Sequence, residues 1–289
     1  MSYDRRTVLG LSLGAAGALA LPRLAAASGA GPARAATGGT PDPVSLVRKL
    51  KLRSDDGLIF WWLEGPKIGQ VGARLTTLYT SRVGTVQRVR QLEDGGLEVT
   101  QLEMILMFDH ETGAPLERWR NPYTGESVPI EFRPVGPAMV EYRADNSRVL
   151  PTELGGTPLE SAARTHAPRI VADDVFLHDE VFARVFTPGR ERPFEVNDHA
   201  VYHGSLRELS DPAVTMAEAA VFFVDVTDWQ RWMQMGDLPG SITSRMVGRK
   251  CRRWEDLPED WRRRLAEVAP DLAADPVGAL DEAAAAFER

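Results

Sequence analysis

The chain has 289 residues, 43% of them hydrophobic and 26% charged, which is the balance of one large domain with ample apolar side chains for a core. Its net charge of −7 argues against nucleic acid and anionic membrane surfaces as partners, because both require a basic face. A single cysteine, Cys251, excludes an internal disulfide and metal sites that need several thiolates.

The first 35 residues are typical of an export signal. Arg5 and Arg6 resemble the twin-arginine motif and precede an apolar run, residues 8–21, that is short for a membrane span of ~20 residues. Small residues at 25–27 and 33–35 offer two cleavage positions. We therefore expect export to the periplasm or the outside, and no stable membrane insertion after cleavage. The alternative is an N-terminal anchor that stays attached.

Cleavage would make the mature chain more acidic. Residues 1–35 hold four basic side chains and one acidic side chain, so their removal leaves 30 basic and 40 acidic residues and a net charge of −10. Residues 36–43 are expected to form a flexible leader, and residues 44–289 a single β-rich domain with C-terminal helices.

Within this domain, residues 44–52 have the periodicity of a short amphipathic helix, and from Gly57 onwards the apolar residues run or alternate as in strands. Short turns separate the strands, which indicates an antiparallel meander whose edges must be closed or covered. Residues 145–168 show no such pattern and are predicted to form a surface loop. Strands are predicted at 58–63, 70–82, 85–92, 97–108, 127–133, 138–143, 169–176, 180–187, 195–209 and 220–226, and further helices at 213–219, 255–268 and 276–287. We expect an antiparallel β-barrel or strongly curled sheet, with a calycin-like outline, capped by the C-terminal helices.

One stretch, residues 225–250, combines aromatic rings, glycines and a basic end. Trp229 and Trp232 are three residues apart, which places them on one face if the chain turns helically. Gly236 and Gly240 allow the following loop to approach that face, and Lys250 closes the stretch. This pattern fits either a lid over a ligand or a plug that completes the core.

Three motifs carry a family resemblance. They are LEGPKIG around Glu64, YTG at Tyr123, and W-x-x-W-M-x-M-G starting at Trp229. With them the chain resembles the domain-of-unknown-function family numbered 1838, over residues 46–270. The resemblance implies no activity, so no functional residue follows from it.

Two histidines, His199 and His203, are candidate acid–base groups. On a helix their spacing would suit a metal pair, but the flanking residues predict a strand, on which they share a face ~13 Å apart. We therefore expect no shared metal. They either line a cavity or are structural or surface histidines.

Glu103 and Arg74 are further candidates, because each lies inside a predicted strand. Glu103 is flanked by apolar residues and would act as an acid or base if buried, whereas on a solvent face it would form an ion pair. Arg74 would pair with it or bind a substrate carboxylate. The candidate ligand-binding residues are Trp62, Tyr79, Tyr202, Trp229, Trp232 and Lys250, for which plain core packing is the alternative.

The sequence thus predicts a site for an apolar or aromatic small molecule inside the barrel. Gly-x-Ser-x-Gly and phosphate-binding loops are absent, so serine hydrolases and nucleotide enzymes are disfavoured. The protein would be a cofactor-independent isomerase, cyclase or lyase, a non-catalytic carrier or sensor, or a structural envelope protein. A homodimer is compatible with each. No cofactor or metal is implied.

Overall fold

A computed structural model describes residues 42–154, 156–189 and 191–287. The predicted signal peptide and nearly all of the predicted leader lie outside the described residues. Across those ranges, no helix combines the length and apolar character needed to cross a membrane.

The described residues form fifteen strands, five α-helices and two short 3-10 helices. The strands are β1 (Gly57–Val71), β2 (Arg74–Gln91), β3 (Leu97–Phe108), β4 (Arg118–Arg120), β5 (Ser127–Pro129), β6 (Val135–Tyr142), β7 (Arg148–Val149), β8 (Glu153–Leu154), β9 (Thr157–Thr165), β10 (Arg169–Val171), β11 (Asp174–Val185), β12 (Phe194–Ser205), β13 (Ala220–Thr227), β14 (Ser241–Ser244) and β15 (Met246–Cys251). The α-helices are α1 (Pro43–Lys51), α2 (Leu206–Ser210), α3 (Glu259–Val268), α4 (Pro270–Ala274) and α5 (Pro276–Phe287), and the 3-10 helices are Arg231–Met233 and Trp254–Asp256.

Thirteen of the strands belong to one antiparallel sheet. Its order is β7-β6-β3-β2-β1-β14-β13-β12-β11-β9-β8. Strand β10 pairs with β11. Strands β14 and β15 each pair with both β1 and β13. Strands β4 and β5 form a separate hairpin.

The connection between β7 and β8 makes the sheet curl. These strands stand at opposite ends of the strand order, yet β7 ends at Val149 and β8 begins at Glu153. A chain extends by at most ~3.6 Å per residue, so the two ends of the sheet come within about 14 Å of each other. The expected mainly antiparallel, strongly curled sheet with C-terminal helices is therefore confirmed.

Strand alternation divides the apolar residues between two cores. On β1, Trp61 and Leu63 face the inside of the curl, where they join the larger apolar cluster. Phe60 and Trp62 face outwards and pack beneath the C-terminal helices, together with the fully buried Trp261 of α3. The helices thus cover the outer face of β1 to β3, and the inner face remains for a site.

Helix α1 packs into the inner face through Leu46, Val47 and Leu50. Its first turn is capped by Asp42, whose carboxylate accepts hydrogen bonds from the backbone N–H groups of residues 44 and 45. The last residue of the helix, Lys51, extends into the interior.

Several predicted elements were wrong, and among them the predicted strands 70–82 and 169–176 each cross a hairpin turn between two strands. Residues 145–168 contain β7, β8 and β9. Of these, β9 pairs with β11, and its many small and polar residues concealed this pairing in the sequence. The strand predicted to reach residue 209 ends at Ser205, because the side chain of Ser205 caps α2. Residues 213–219 are not helical, because their backbone bonds elsewhere: Ala217 N–H donates to Lys49 O, and Thr215 O accepts from Ser54 N–H.

Candidate functional site

An internal cavity of about 80 Å³ lies inside the curl of the sheet. Nine strands from both halves of the sheet contribute to its walls, and α1 contributes Lys51. Much of the lining is apolar, but two polar groups of side chains interrupt it. We call them the charged cluster (Lys51, Arg148, Asp179, Tyr142 and Tyr202) and the amide row (Thr85, Gln87, Gln101 and Glu103).

Asp179 of β11 is the centre of the charged cluster. Its Oδ2 accepts hydrogen bonds from Lys51 Nζ at 2.6 Å and from Arg148 Nη1 at 3.1 Å. Its Oδ1 accepts from Arg148 Nη2 at 2.8 Å and from Thr165 Oγ1 at 2.6 Å. Burial by itself raises the pKa of Asp179, but Lys51 and Arg148 outweigh burial, so the net pKa lies below its usual value. The carboxylate is therefore ionised at neutral pH.

Two tyrosines flank these charges. The ammonium of Lys51 lies 5.5 Å from the ring centroid of Tyr142 and 5.8 Å from that of Tyr202, within the range of cation–π attraction. Tyr202 also contacts Trp61 edge-on, with 5.4 Å between the ring centroids. Burial, aided by the charge of Asp179, raises the pKa of Tyr202 well above its usual value. Its hydroxyl thus stays protonated and is available as a hydrogen-bond donor.

The amide row follows from the register of β2 and β3. Thr85 is opposite Glu103, and Gln87 is opposite Gln101, so all four side chains share the inner face. The amide of Gln87 donates to Gln101 Oε1, and the amide of Gln101 donates to Glu103 Oε1. Thr85 Oγ1 and Gln87 Oε1 are buried without a hydrogen-bond partner among the described residues.

A second, more open groove of about 520 Å³ has both His203 and Lys250 in its lining. Lys250 points away from solvent there: its Nζ donates to Lys49 O at 2.8 Å and to Leu52 O at 2.9 Å. Burial lowers the pKa of Lys250 well below its usual value. Since Lys250 Nζ also lies 5.6 Å from the ring of Trp61, this side chain ties the end of α1 to the cavity wall.

The family comparison covers two of the three motifs, those at Tyr123 and Trp229. A family model described as "Protein of unknown function (DUF1838)" matches residues 71–287. The chain belongs to the DUF1838 family. The resemblance expected from the sequence is therefore confirmed. No curated protein and no solved structure matches this DUF1838 protein significantly, so the calycin-like outline stays a prediction.

Of the residues singled out from the sequence of this DUF1838 protein, the structure places Glu103 and Tyr202 in the internal cavity. His199 and His203 both lie on the outer face of β12, and His203 Nε2 contacts Asp174 Oδ1 at 2.7 Å. Arg74 is exposed where the β1–β2 hairpin turns. The two histidines share a face, as expected for a strand, but it is the face opposite to the cavity.

The aromatic candidates divide in the same way. Trp62 packs edge-on against Trp261 under the C-terminal helices, with 5.6 Å between the ring centroids. Tyr79, Trp229 and Trp232 belong to a separate apolar cluster around the β4–β5 hairpin and are not part of the cavity lining.

The two tryptophans of this aromatic cluster contact different residues. Trp232 contacts Tyr79 and Trp119, whereas Trp229 contacts Tyr123 and donates its indole N–H to Leu238 O at 3.0 Å. The turn that was expected to carry both tryptophans includes only Trp232, because the 3-10 helix begins at residue 231. The cluster packs the 229–238 loop onto the sheet.

Seven side chains of the charged cluster and the amide row were not among the sequence candidates: Lys51, Arg148, Asp179, Tyr142, Thr85, Gln87 and Gln101. Asp179 carried a signal that was missed: it alternates with Leu177 and Val181 in β11, but the predicted strands ended at residue 176 and resumed at residue 180. Arg148 carried none, since it lies in the segment predicted to be a loop.

Proposed function

We propose that this DUF1838 protein encloses a small molecule inside its curled sheet. The observation that carries this proposal is that Thr85 and Gln87 line the cavity and that each has a buried oxygen, Thr85 Oγ1 and Gln87 Oε1, without a hydrogen-bond partner in the described part of the chain. An unpaired buried polar atom costs about 1–3 kcal/mol. A fold that retains two of them in one cavity is suited to an occupant that bonds to them, whether a ligand or ordered water.

The volume limits what that occupant is. At about 80 Å³ the cavity has roughly half the volume of the ~150 Å³ apolar cavity that holds benzene in an engineered protein. A ligand that fits without movement of the walls therefore has only a few non-hydrogen atoms. Larger apolar or aromatic compounds, as expected from the sequence, require the walls to move outwards.

One observation favours a second candidate, a proton-transfer enzyme. Glu103 lines the same cavity as Lys51 and Arg148. A carboxylate base together with cations that stabilise a developing oxyanion is the requirement for abstracting a proton next to a carbonyl group. In that case Glu103 would be the base of a cofactor-independent isomerase or lyase. Loss of solvent-deuterium exchange into the bound ligand in Glu103→Gln, with binding retained, is the expected result.

Thr85→Val tests the binding role directly. Valine keeps the shape of threonine and removes the unpaired hydroxyl, so we expect the unliganded protein to gain about 1 kcal/mol in its free energy of unfolding and to bind its ligand less tightly. The ligand is first obtained by native mass spectrometry of protein from its own host.

Thr227→Val is the matched control for this experiment. Thr227 Oγ1 is also buried without a partner among the described residues, but Thr227 is not part of the cavity lining. It should raise stability in the same way without changing ligand affinity. Equal ligand affinity in Thr85→Val and the wild type would contradict the proposal.

We further propose that the protein acts outside the cytoplasm, which Arg5, Arg6 and the apolar run after them support.

A further inference from the structure

Several hydrogen-bonding groups of the charged cluster are unused. An ammonium group has three donors, and Lys51 Nζ makes one hydrogen bond, to Asp179. Arg148 uses Nη1 and Nη2 towards Asp179 and its surroundings, and its Nε–H has no acceptor within the described ranges. The hydroxyls of Tyr142 and Tyr202 make no hydrogen bond to another described residue. Lys51, Arg148 and both tyrosines line the same cavity.

Within the charged cluster, two cations share one carboxylate. Lys51 and Arg148 both pair with Asp179, in a place where the solvent screens charges poorly. Glu103, on β3 opposite Thr85, is the second carboxylate of the cavity lining and accepts a hydrogen bond from Gln101.

Asp179 also fixes the geometry of both cations. The side chains of Arg148 and Asp179 are 5% and 3% exposed, and their two-point contact holds the guanidinium plane in place. Lys51 is held against the same carboxylate, over the tyrosine rings. A second carboxylate brought to this end finds donors that are already positioned, so little side-chain freedom is lost on binding.

We infer that the occupant of the cavity is a small carboxylic acid bound as its anion. This inference rests on the proposed binding function and names the chemical class of the ligand. The carboxylate lies against Lys51 and Arg148, whose unused N–H donors it accepts from, with hydroxyl donors from the tyrosines. The remainder of the molecule is short and lies towards Thr85 and Gln87, whose oxygens accept a hydroxyl hydrogen from it.

Propionate and propionamide form the probe pair that tests the inference, because they have the same shape and differ in charge. Each is titrated into the full mature protein at neutral pH, and binding is followed through the NMR signals of the cavity residues. We expect propionate to bind at least about tenfold more tightly than propionamide, since hydrogen bonds between charged groups are the stronger ones.

Variants of two lysines in α1 test whether Lys51 produces the preference for propionate over propionamide. Lys51→Met should abolish the preference for propionate, and Lys51→Arg should restore most of it. Asp179 keeps Arg148 and Thr165 as partners in both variants. Lys49→Met is the matched control: Lys49 is a buried lysine of the same helix that donates to Leu209 O and Asp211 O and is not part of the cavity lining. It should leave the preference unchanged.

The outcomes separate the two proposals. Equal binding of propionate and propionamide to the wild type would overturn the carboxylate inference and leave the binding function standing. Absence of binding by both probes would overturn both proposals and assign the cavity to water. The comparison in the wild type decides the question even if Lys51→Met does not fold.

Discussion

Arg148 and Asp179 join the two ends of the curled sheet. Arg148 belongs to β7 and Asp179 to β11, and the distance between Arg148 Nη2 and Asp179 Oδ1 is 2.8 Å. Because β7 and β8 stand at opposite ends of the strand order, the contact bridges the gap between the two ends of the curled sheet. It fixes the curvature of the sheet and, with Lys51, the shape of the cavity.

The first prediction concerns this contact. Asp179→Asn should lower the free energy of unfolding by about 3–5 kcal/mol, because Lys51 and Arg148 lose the buried carboxylate with which both of them pair. Asp174→Asn is the control on the same strand, since its contact to His203 is largely exposed and should be worth less than about 1 kcal/mol. Urea unfolding of both variants measures the difference, and equal losses would contradict the prediction.

The second prediction is the pH dependence of that loss. The folded pKa of Asp179 lies below the ordinary value of about 3.9, so its contribution to stability is fully present above pH ~4 and disappears as the pH falls through the folded pKa. The difference in unfolding free energy between the wild type and Asp179→Asn should therefore shrink as the pH is lowered from about 5 towards 2. A difference that stays constant over this range would show that the carboxylate charge is not its source.

The third prediction tests how the C-terminal helices are seated. The indole of Trp261 lies directly on Gly84 of β2, so that a methyl group on residue 84 would collide with the ring. Trp261 is fully buried and cannot move aside. We expect Gly84→Ala to cost about 1–3 kcal/mol and Trp261→Ala about 3–5 kcal/mol. In the double variant the two costs should not add, because the smaller residue at 261 admits the methyl group; full additivity would exclude this contact.

The fourth prediction separates the aromatic cluster from the cavity. Trp229→Ala should lower the free energy of unfolding by about 3–5 kcal/mol, because Trp229 is buried against Tyr123 and its N–H is bonded. Binding of propionate to the protein that remains folded should not change. Gly240 is part of the same packing, since a side chain there would collide with Trp229. A loss of binding with little loss of stability would instead identify Trp229 as part of a lid.

The fifth prediction concerns export. Replacing Arg5 and Arg6 by lysine should leave the precursor in the cytoplasm, which fractionation of the producing cells measures. Normal appearance of mature protein beyond the membrane would contradict the twin-arginine assignment.

The sheet could be predicted from the sequence, because long alternating strands and short turns are local signals. The site could be predicted only in part. Two of the sequence candidates line the cavity: Glu103, chosen as a carboxylate between apolar residues, and Tyr202, chosen as an aromatic residue of the curled sheet. His199 and His203 were expected to share a face of their strand. The sequence pattern did not say whether that face of β12 points to the cavity or away from it. The pairing register of β12 with β11 and β13 determines the direction.

The charged cluster depended on contacts that no local pattern encodes. Lys51 and Asp179 are 128 residues apart, and Arg148 belongs to a strand of two residues. A lysine at the end of a helix has the usual appearance of a solvated residue, because the helix C-terminus favours a cation there. Only the assembled sheet shows that this lysine points inwards.

The hydrogen bonds from Lys250 to the end of α1 form late in folding. They join residues 201 and 198 positions apart, so these two bonds cannot form until β15 has been made. Contacts at such separations form late and slowly, because the loss of chain entropy precedes the gain. The contact between the end of α1 and β15 is therefore among the last that the chain acquires as it folds.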